Sequence, residues 1–229
     1  MESIITLDKS VFFFLNGMHS PVFDVAMSLF TRAEFWLLLF MAIVVSIIKI
    51  FGKKAILILV AIALVVLVAD QFSGLIKDLV GRLRPTHDPT MQDLVHFVKK
   101  RGGKFSYFSS HAANTFGVAM YLTLLFKNKT FGFTIFVWAA IASYTRIYLG
   151  LHFPGDILTG IAFGLLIGWL LYLLTIFLDK RFFVLASPKI SEAKLAAGQS
   201  QTILLVMIGL VFMAFLVASK LLHVGLITL

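Results

Sequence analysis

The sequence predicts an all-α fold, a polytopic membrane helical bundle of six transmembrane helices preceded by an N-terminal interfacial amphipathic segment. Three observations predict it. First, 60% of the 229 residues are apolar and only 14% charged, with a mean hydropathy of +0.99; such a chain has too little polar surface to cover a soluble globule. Second, six apolar runs approach the roughly 20 residues that a helix needs to cross a bilayer. Third, the basic residues gather between those runs, where they can anchor span ends.

The elements follow in order. Residues 1–34 are aromatic and apolar but interrupted by Asp8, Lys9, Asn16, His19, Pro21, Asp24 and Arg32, so they read as amphipathic helices lying in the interface. The segment lacks the positive start and small-residue cleavage site of a signal peptide, and retention is expected. Spans are predicted at 35–51, 55–76, 109–126, 131–149, 155–178 and 201–223. The chain thus divides into the interfacial segment 1–34, a five-span core 35–178, a polar loop 179–200 and an additional C-terminal helix 201–229. That last helix carries no motif and reads as an appendage, with Lys220 free to snorkel to the interface.

A net charge of +9 sits mostly in the loops, where it can meet anionic headgroups or an anionic substrate. No basic helix or aromatic platform favours nucleic acid. There is no cysteine, hence no disulfide, thiol nucleophile or thiolate metal site. Lys49, Lys53, Lys54, Lys127, Lys129, Lys180, Arg181, Lys189 and Lys194 lie in the compact connections one-two, three-four and five-six. By the positive-inside rule these face the cytoplasm, which places the other face outside. Nothing in the sequence fixes an oligomeric state.

Three short segments carry chemistry, and all open on that outer face. Lys77-Asp78-Leu79-Val80-Gly81-Arg82-Leu83-Arg84-Pro85 leaves span two. If helical as far as Arg84, it sets Lys77 and Arg84 on one face about 10 Å apart, able to grip a phosphate from two sides. The same pattern is also that of ordinary basic anchors. Phe108-Ser109-Ser110-His111 enters span three, where Ser109 is a natural N-cap and the helix start can face an anion; a histidine at a span mouth is also a common interfacial residue. Arg146-Ile147-Tyr148-Leu149-Gly150-Leu151-His152-Phe153-Pro154-Gly155-Asp156 joins spans four and five. Pro154 suits a first helical turn, and Asp156 at i+4 can reach His152, fixing its tautomer and leaving the other nitrogen as nucleophile or base. The alternative is a capping Asp beside a structural His. Together the segments point to phosphate-ester chemistry at a membrane surface.

Taken as a set, the segments resemble the type 2 phosphatidic acid phosphatase superfamily, whose pattern is Lys-x6-Arg-Pro, Pro-Ser-Gly-His and Ser-Arg-x5-His-x3-Asp. Phe108, Ser110 and Thr145 stand where the pattern has Pro, Gly and Ser. The resemblance covers residues 77–156 and the order of the surrounding spans. It implies that Lys77, Arg84, Ser109, Ser110 and Arg146 bind phosphate, that His152 attacks phosphorus and becomes phosphohistidine, that Asp156 orients it, and that His111 protonates the leaving oxygen and then activates water. It implies no metal and no cofactor, and the sequence offers no ligand cluster for one. The partners expected are a membrane lipid phosphate and the bilayer itself.

Within that family the compact core looks most like bacterial undecaprenyl pyrophosphate phosphatases, acting in the plasma (inner) membrane. Phosphatidylglycerophosphate, phosphatidate and lipid A phosphate are alternatives in the same class. A loop from Thr86 to Tyr107, with a hairpin over the site or a solvated basic turn at Lys99–Lys104, would decide among them. Transport or flipping of an anionic lipid is the alternative of another class. It would place ionisable groups near the midplane, where the sequence offers only Asp70. His19, His87, His96 and His223 show no partner pattern and are assigned no role.

Overall fold

The computed structural model describes residues 2–98, 102–183 and 188–224. They form eight α-helices: α1 (Glu2–Asn16), α2 (Pro21–Phe30), α3 (Leu37–Phe51), α4 (Ala55–Val80), α5 (Ser110–Phe126), α6 (Lys129–Tyr148), α7 (Pro154–Phe182) and α8 (Ala197–His223). No named strand occurs among the described residues.

Local chemistry sets the boundaries. Ser20 accepts a hydrogen bond from Phe23 N at 3.4 Å and Pro21 supplies the first turn of α2. Gly52, at φ +53°, breaks the run between α3 and α4. Asn128 accepts from Phe131 N at 3.0 Å to start α6. Pro154 opens α7 as the sequence predicts.

Among the described residues three helical stretches are long and apolar enough to cross a membrane: Ala33–Val80, which contains α3 and α4, then α7 and α8. Their outer faces expose Ile56, Val60, Leu158, Phe177, Leu205 and Phe212, a pattern suited to hydrocarbon rather than water. α5 and α6 do not meet the same measure. α5 has 17 residues and opens on Ser110-His111. It is surrounded by α4, α6 and α7, and its buried Thr115 hydroxyl lies 3.3 Å from that of Ser143 on α6. A helix shielded by other helices has no need of a lipid-compatible face.

The tightest packing joins α5 to α7. Gly160, Gly164 and Gly168 recur every fourth residue along α7, and a Cβ built on them would lie 2.5, 2.3 and 2.2 Å from the carbonyl oxygens of Ser109, Ala113 and Gly117. Small residues on both sides let the two backbones touch. Each helix start is thereby held beside the other.

Two sequence expectations are corrected. α4 ends at Val80, because Gly81 takes a left-handed φ of +64° and returns its N–H to Lys77 O at 2.9 Å; Arg84 is therefore not on the helix that carries Lys77. α8 is no appendage: it packs on α2, α3 and α6, burying Ile203, Met207, Ala214 and Ala218. Beyond α7, Ile190 is tied back to the end of that helix. Lys54, before α4, pairs with Asp179 at 2.7 Å, both buried, and Asp179 also accepts Ile190 N at 3.0 Å.

Candidate active site

At one end of the bundle, four segments bring their polar side chains together. Lys77, in the last turn of α4, donates to Ser73 Oγ at 2.9 Å and reaches Ser110 Oγ at 3.5 Å. Ser109 caps α5, its Oγ accepting from Ala112 N at 3.4 Å, while its own N–H donates to Asp156 O at 3.1 Å. The starts of α5 and α7 thus meet, and both present their positive ends to the same space.

Arg84 arrives by a different route from the one its spacing implied. Beyond Gly81 the chain is extended. Ser106 N donates to Arg82 O at 2.8 Å and Arg84 N to Lys104 O at 3.1 Å, around an isolated bridge between Leu83 and Phe105. Arg84 Nε donates to Phe105 O at 3.1 Å. Burial pulls its guanidinium below the usual arginine value, with Asp156 pulling the other way. Of the expected hairpin over the site this short pairing is what the described residues contain; Lys99, Lys100 and Arg101 lie outside them.

Arg146 ends α6 and donates through Nη1 to Thr31 Oγ1 at 2.8 Å, whereas its buried Nε has no hydrogen-bond partner. His152 follows in the link to α7, 2% exposed. Its Nδ1 stands 3.6 Å from Asp156 Oδ2, beyond hydrogen-bond length. Burial pushes the His152 imidazole down to about 4, against the opposing pull of Asp156; Arg146 and Arg84 push the same way as burial. His111, in the first turn of α5, is close enough to Arg146 and His152 to feel their charge. All eight residues singled out in the sequence therefore converge on one site.

Sequence reasoning missed several of its neighbours. Arg82, an unassigned position within the first motif, donates to Asp156 Oδ1 at 2.9 Å and to Asp8 Oδ2 at 2.6 Å, and stacks 4.0 Å over the Phe153 ring. Asp8, Phe12 and Asn16 are spaced i, i+4, i+8 on α1. Asp8 accepts Gly155 N at 2.8 Å, Phe12 packs on Phe153, and Asn16 donates to Ile147 O and Tyr148 O. His96 does have partners: its Nε2 lies 2.7 Å from buried Asp24, and its ring stacks on His19 at 3.8 Å. The periodicity of α1 was the available signal for its face, but its partners lie more than 70 residues away.

Beside His111 opens an apolar cavity of about 350 Å³, lined by Phe40, Ile43, Ile62, Val118 and Trp138 with Asn114 near His111. Among the described residues no group of three or more His, Asp or Glu converges as metal ligands do.

Residues 54–180 match the model of the PAP2 superfamily. Over nearly its whole length the chain is similar to a protein of Bacteroides thetaiotaomicron named lipid A 4′-phosphatase, 39% identical with 93% of this chain and 95% of that one covered. A Porphyromonas gingivalis protein of the same name is 33% identical, covering 93% and 91%. Similarity to the Bacillus subtilis undecaprenyl-diphosphatase BcrC is 26% over 37% of this chain and 42% of that one. Two crystal structures share the fold. The transmembrane PAP2-type phosphatidylglycerolphosphate phosphatase of Bacillus subtilis has a TM-score of 0.54 at 23% identity, covering 80% of this chain and 89% of that one. Aquifex aeolicus LpxE has 0.56 at 21%, covering 72% and 94%.

Proposed function

The chain belongs to the PAP2 superfamily and is an integral membrane phosphatase, and from that premise we propose that it removes a phosphomonoester from lipid A through a phosphohistidine intermediate. The chemistry rests above all on the convergence of three cations, Lys77, Arg84 and Arg146, around buried His152. They hold the phosphoryl oxygens and neutralise the charge that spreads over them in the transition state, with the α5 start and the hydroxyls of Ser109 and Ser110 as further donors. His152 Nε2 attacks phosphorus as the bond to the lipid oxygen breaks, and His111 delivers the proton that oxygen needs. Asp156 closes on Nδ1 and stabilises the cationic ring. Water then attacks phosphorus, giving its proton to His111, and the P–N bond breaks to release phosphate.

The choice of lipid shifts weight from undecaprenyl pyrophosphate to the lipid A alternative. Similarity to the two lipid A 4′-phosphatases runs the length of the chain, whereas that to the undecaprenyl-diphosphatase covers 37% of it. The apolar cavity beside His111 suits a hydrocarbon tail entering from the bilayer while the phosphate meets the cations. In this reading α3 to α8 each cross a bacterial inner membrane, α1 and α2 lie in the interface, and the site faces outward.

The test is phosphate release by the purified protein in detergent, with EDTA present throughout, from lipid A, undecaprenyl pyrophosphate, phosphatidylglycerophosphate and phosphatidate. Lipid A should be the preferred substrate, with mass spectrometry of the product showing loss of one phosphate from the 4′ position. Preference for undecaprenyl pyrophosphate would return the assignment to polyprenyl recycling. Loss of all activity in EDTA, restored by a divalent metal, would overturn the metal-free mechanism.

A further inference from the structure

Asp156 is a fully buried carboxylate whose two oxygens are not equivalent. Oδ2 accepts Phe153 N at 2.9 Å and faces His152 Nδ1; Oδ1 is held by Arg82 at 2.9 Å. A carboxylate with 0% exposure is costly to bury without such a countercharge. Arg82 is itself fixed from two further directions, by Asp8 Oδ2 at 2.6 Å and by the face of the Phe153 ring. Asp8 reaches across from α1, and its other oxygen accepts Gly155 N at 2.8 Å in the first turn of α7. A chain of contacts therefore runs from α1 through Asp8 and Arg82 to Asp156 and His152. Arg82 is not one of the phosphate cations of the proposed mechanism, since its two Nη atoms are already engaged by carboxylates.

We propose that Arg82 is a positioning residue for the His152–Asp156 pair, holding Asp156 rotated towards His152 and supplying its countercharge, and that Asp8 on α1 acts by holding Arg82. The inference rests on the phosphohistidine reading. An interface helix thereby becomes part of the catalytic support rather than an anchor alone.

The electrostatic consequence has a definite sign. The charged or titratable groups around the His152–Asp156 pair are Arg146 on α6, His111 on α5, Lys77 on α4, and Arg82 and Arg84 in the segment after α4, with Asp8 on α1 beyond Arg82. Removing Arg82 deletes one cation next to the carboxylate that faces His152, so the imidazole takes up a proton at higher pH than before. Loss of neutral His152 then begins at higher pH.

The experiment compares wild type with Arg82→Gln, Arg82→Lys, Asp8→Asn and the double variant Arg82→Gln/Asp8→Asn in detergent. Readouts are kcat, KM, the acid limb of kcat/KM and acid-labile phosphoenzyme trapped by rapid quench. Arg82→Gln should lower kcat about 10- to 100-fold with KM within about twofold, and move the acid limb upward by roughly half a pH unit or more. Arg82→Lys should restore the limb position and part of kcat. Asp8→Asn should lower kcat several-fold in wild type but add little to Arg82→Gln, because both act along one chain of contacts. A fall in kcat with no movement of the limb, or full additivity of the two substitutions, would overturn the proposal while leaving the reaction assignment standing. Should Arg82→Gln not fold, the limb in Arg82→Lys and the thermal stability and kcat of Asp8→Asn decide alone: stability lost with kcat intact also overturns it. Wild type turning over with no phosphoenzyme on His152 would overturn the reaction assignment and this inference together.

Discussion

His152 reaches the site almost wholly enclosed, and burial holds its imidazole down to about 4. A lowered pKa means the neutral ring, with its lone pair, persists from high pH down to that region and is lost only as pH falls through it. The pH profile of kcat/KM should therefore show no limb from His152 near its ordinary value of about 6.5; a His152 limb at that value, identified by its persistence when the substrate's own ionisation is varied, would mean that the site is wetter than its 2% exposure implies. The two histidines should also separate by substitution. His152→Ala should lower turnover by at least about 1,000-fold and abolish the phosphoenzyme. His111→Ala should cost about 10²- to 10⁴-fold on a phosphomonoester, less on a pyrophosphate whose leaving group needs less protonation, and any phosphoenzyme formed should persist for want of water activation. Labelled enzyme in His152→Ala, or normal monoester turnover in His111→Ala, would reassign the roles. At this scale the reacting groups were legible because each motif is local: three spacings name all eight residues. Arg82 and Asp8 were not, since their partners are 74 and 147 positions distant and an ion pair leaves no spacing in the sequence.

The site is assembled by helix ends, so the packing that sets those ends also sets the chemistry. α5 and α7 approach so closely that a Cβ on Gly164 would meet Ala113 O at 2.3 Å, a backbone atom that no side-chain rotation can move aside. Gly164→Val should destabilise the bundle by about 1–3 kcal/mol by overpacking and, because α5 and α7 must separate, misplace Ser109 and His111 against Asp156. Thermal melting in detergent and kcat should fall together. A stable variant with wild-type kcat would show that the contact yields without reaching the site. The glycine spacing Gly160, Gly164, Gly168 stood in the sequence, yet it names no partner until Ala113 and Gly117 are seen opposite. The end of α4 shows the converse. Pro85 would stop a helix running on to Arg84, but Gly81, four residues after Lys77, ends it first because it alone takes the left-handed φ without strain. The whole segment from Arg82 to Arg84 is thereby freed to run extended, and one helical face is exchanged for a turn that aims Arg84 and Arg82 at different targets.

For the whole molecule, the two ends of the bundle differ in what they hold. One gathers the phosphate cations and the starts of α5 and α7; the other holds the buried Lys54–Asp179 pair beside the turn between α3 and α4. Hydropathy made the membrane class legible but not the number of crossings, because α5 and α6 are enclosed by their neighbours and carry polar residues that a lipid-facing helix could not. Orientation is a separate question, decided by the cations at the helix ends and just beyond them. Lys49, Lys53, Lys54, Lys127, Lys129, Lys180, Arg181, Lys189 and Lys194 lie in the terminal turns and compact connections at the Lys54–Asp179 end, though Lys54 is neutralised there and contributes little to a vote counted in free charge. At the opposite end Lys77, Arg84 and Arg146 belong to the site, and Lys104 belongs to a long connection, which counts for less. The cytoplasm should therefore lie on the Lys54 side. An alkaline phosphatase reporter, active only outside the cytoplasm, should be active when fused near residue 95 and inactive near residue 52 or 128. The reverse pattern would place His152 indoors, exclude substrates confined to the outer leaflet of the inner membrane, and require the free charge of the site itself to have been drawn to the cytoplasmic face.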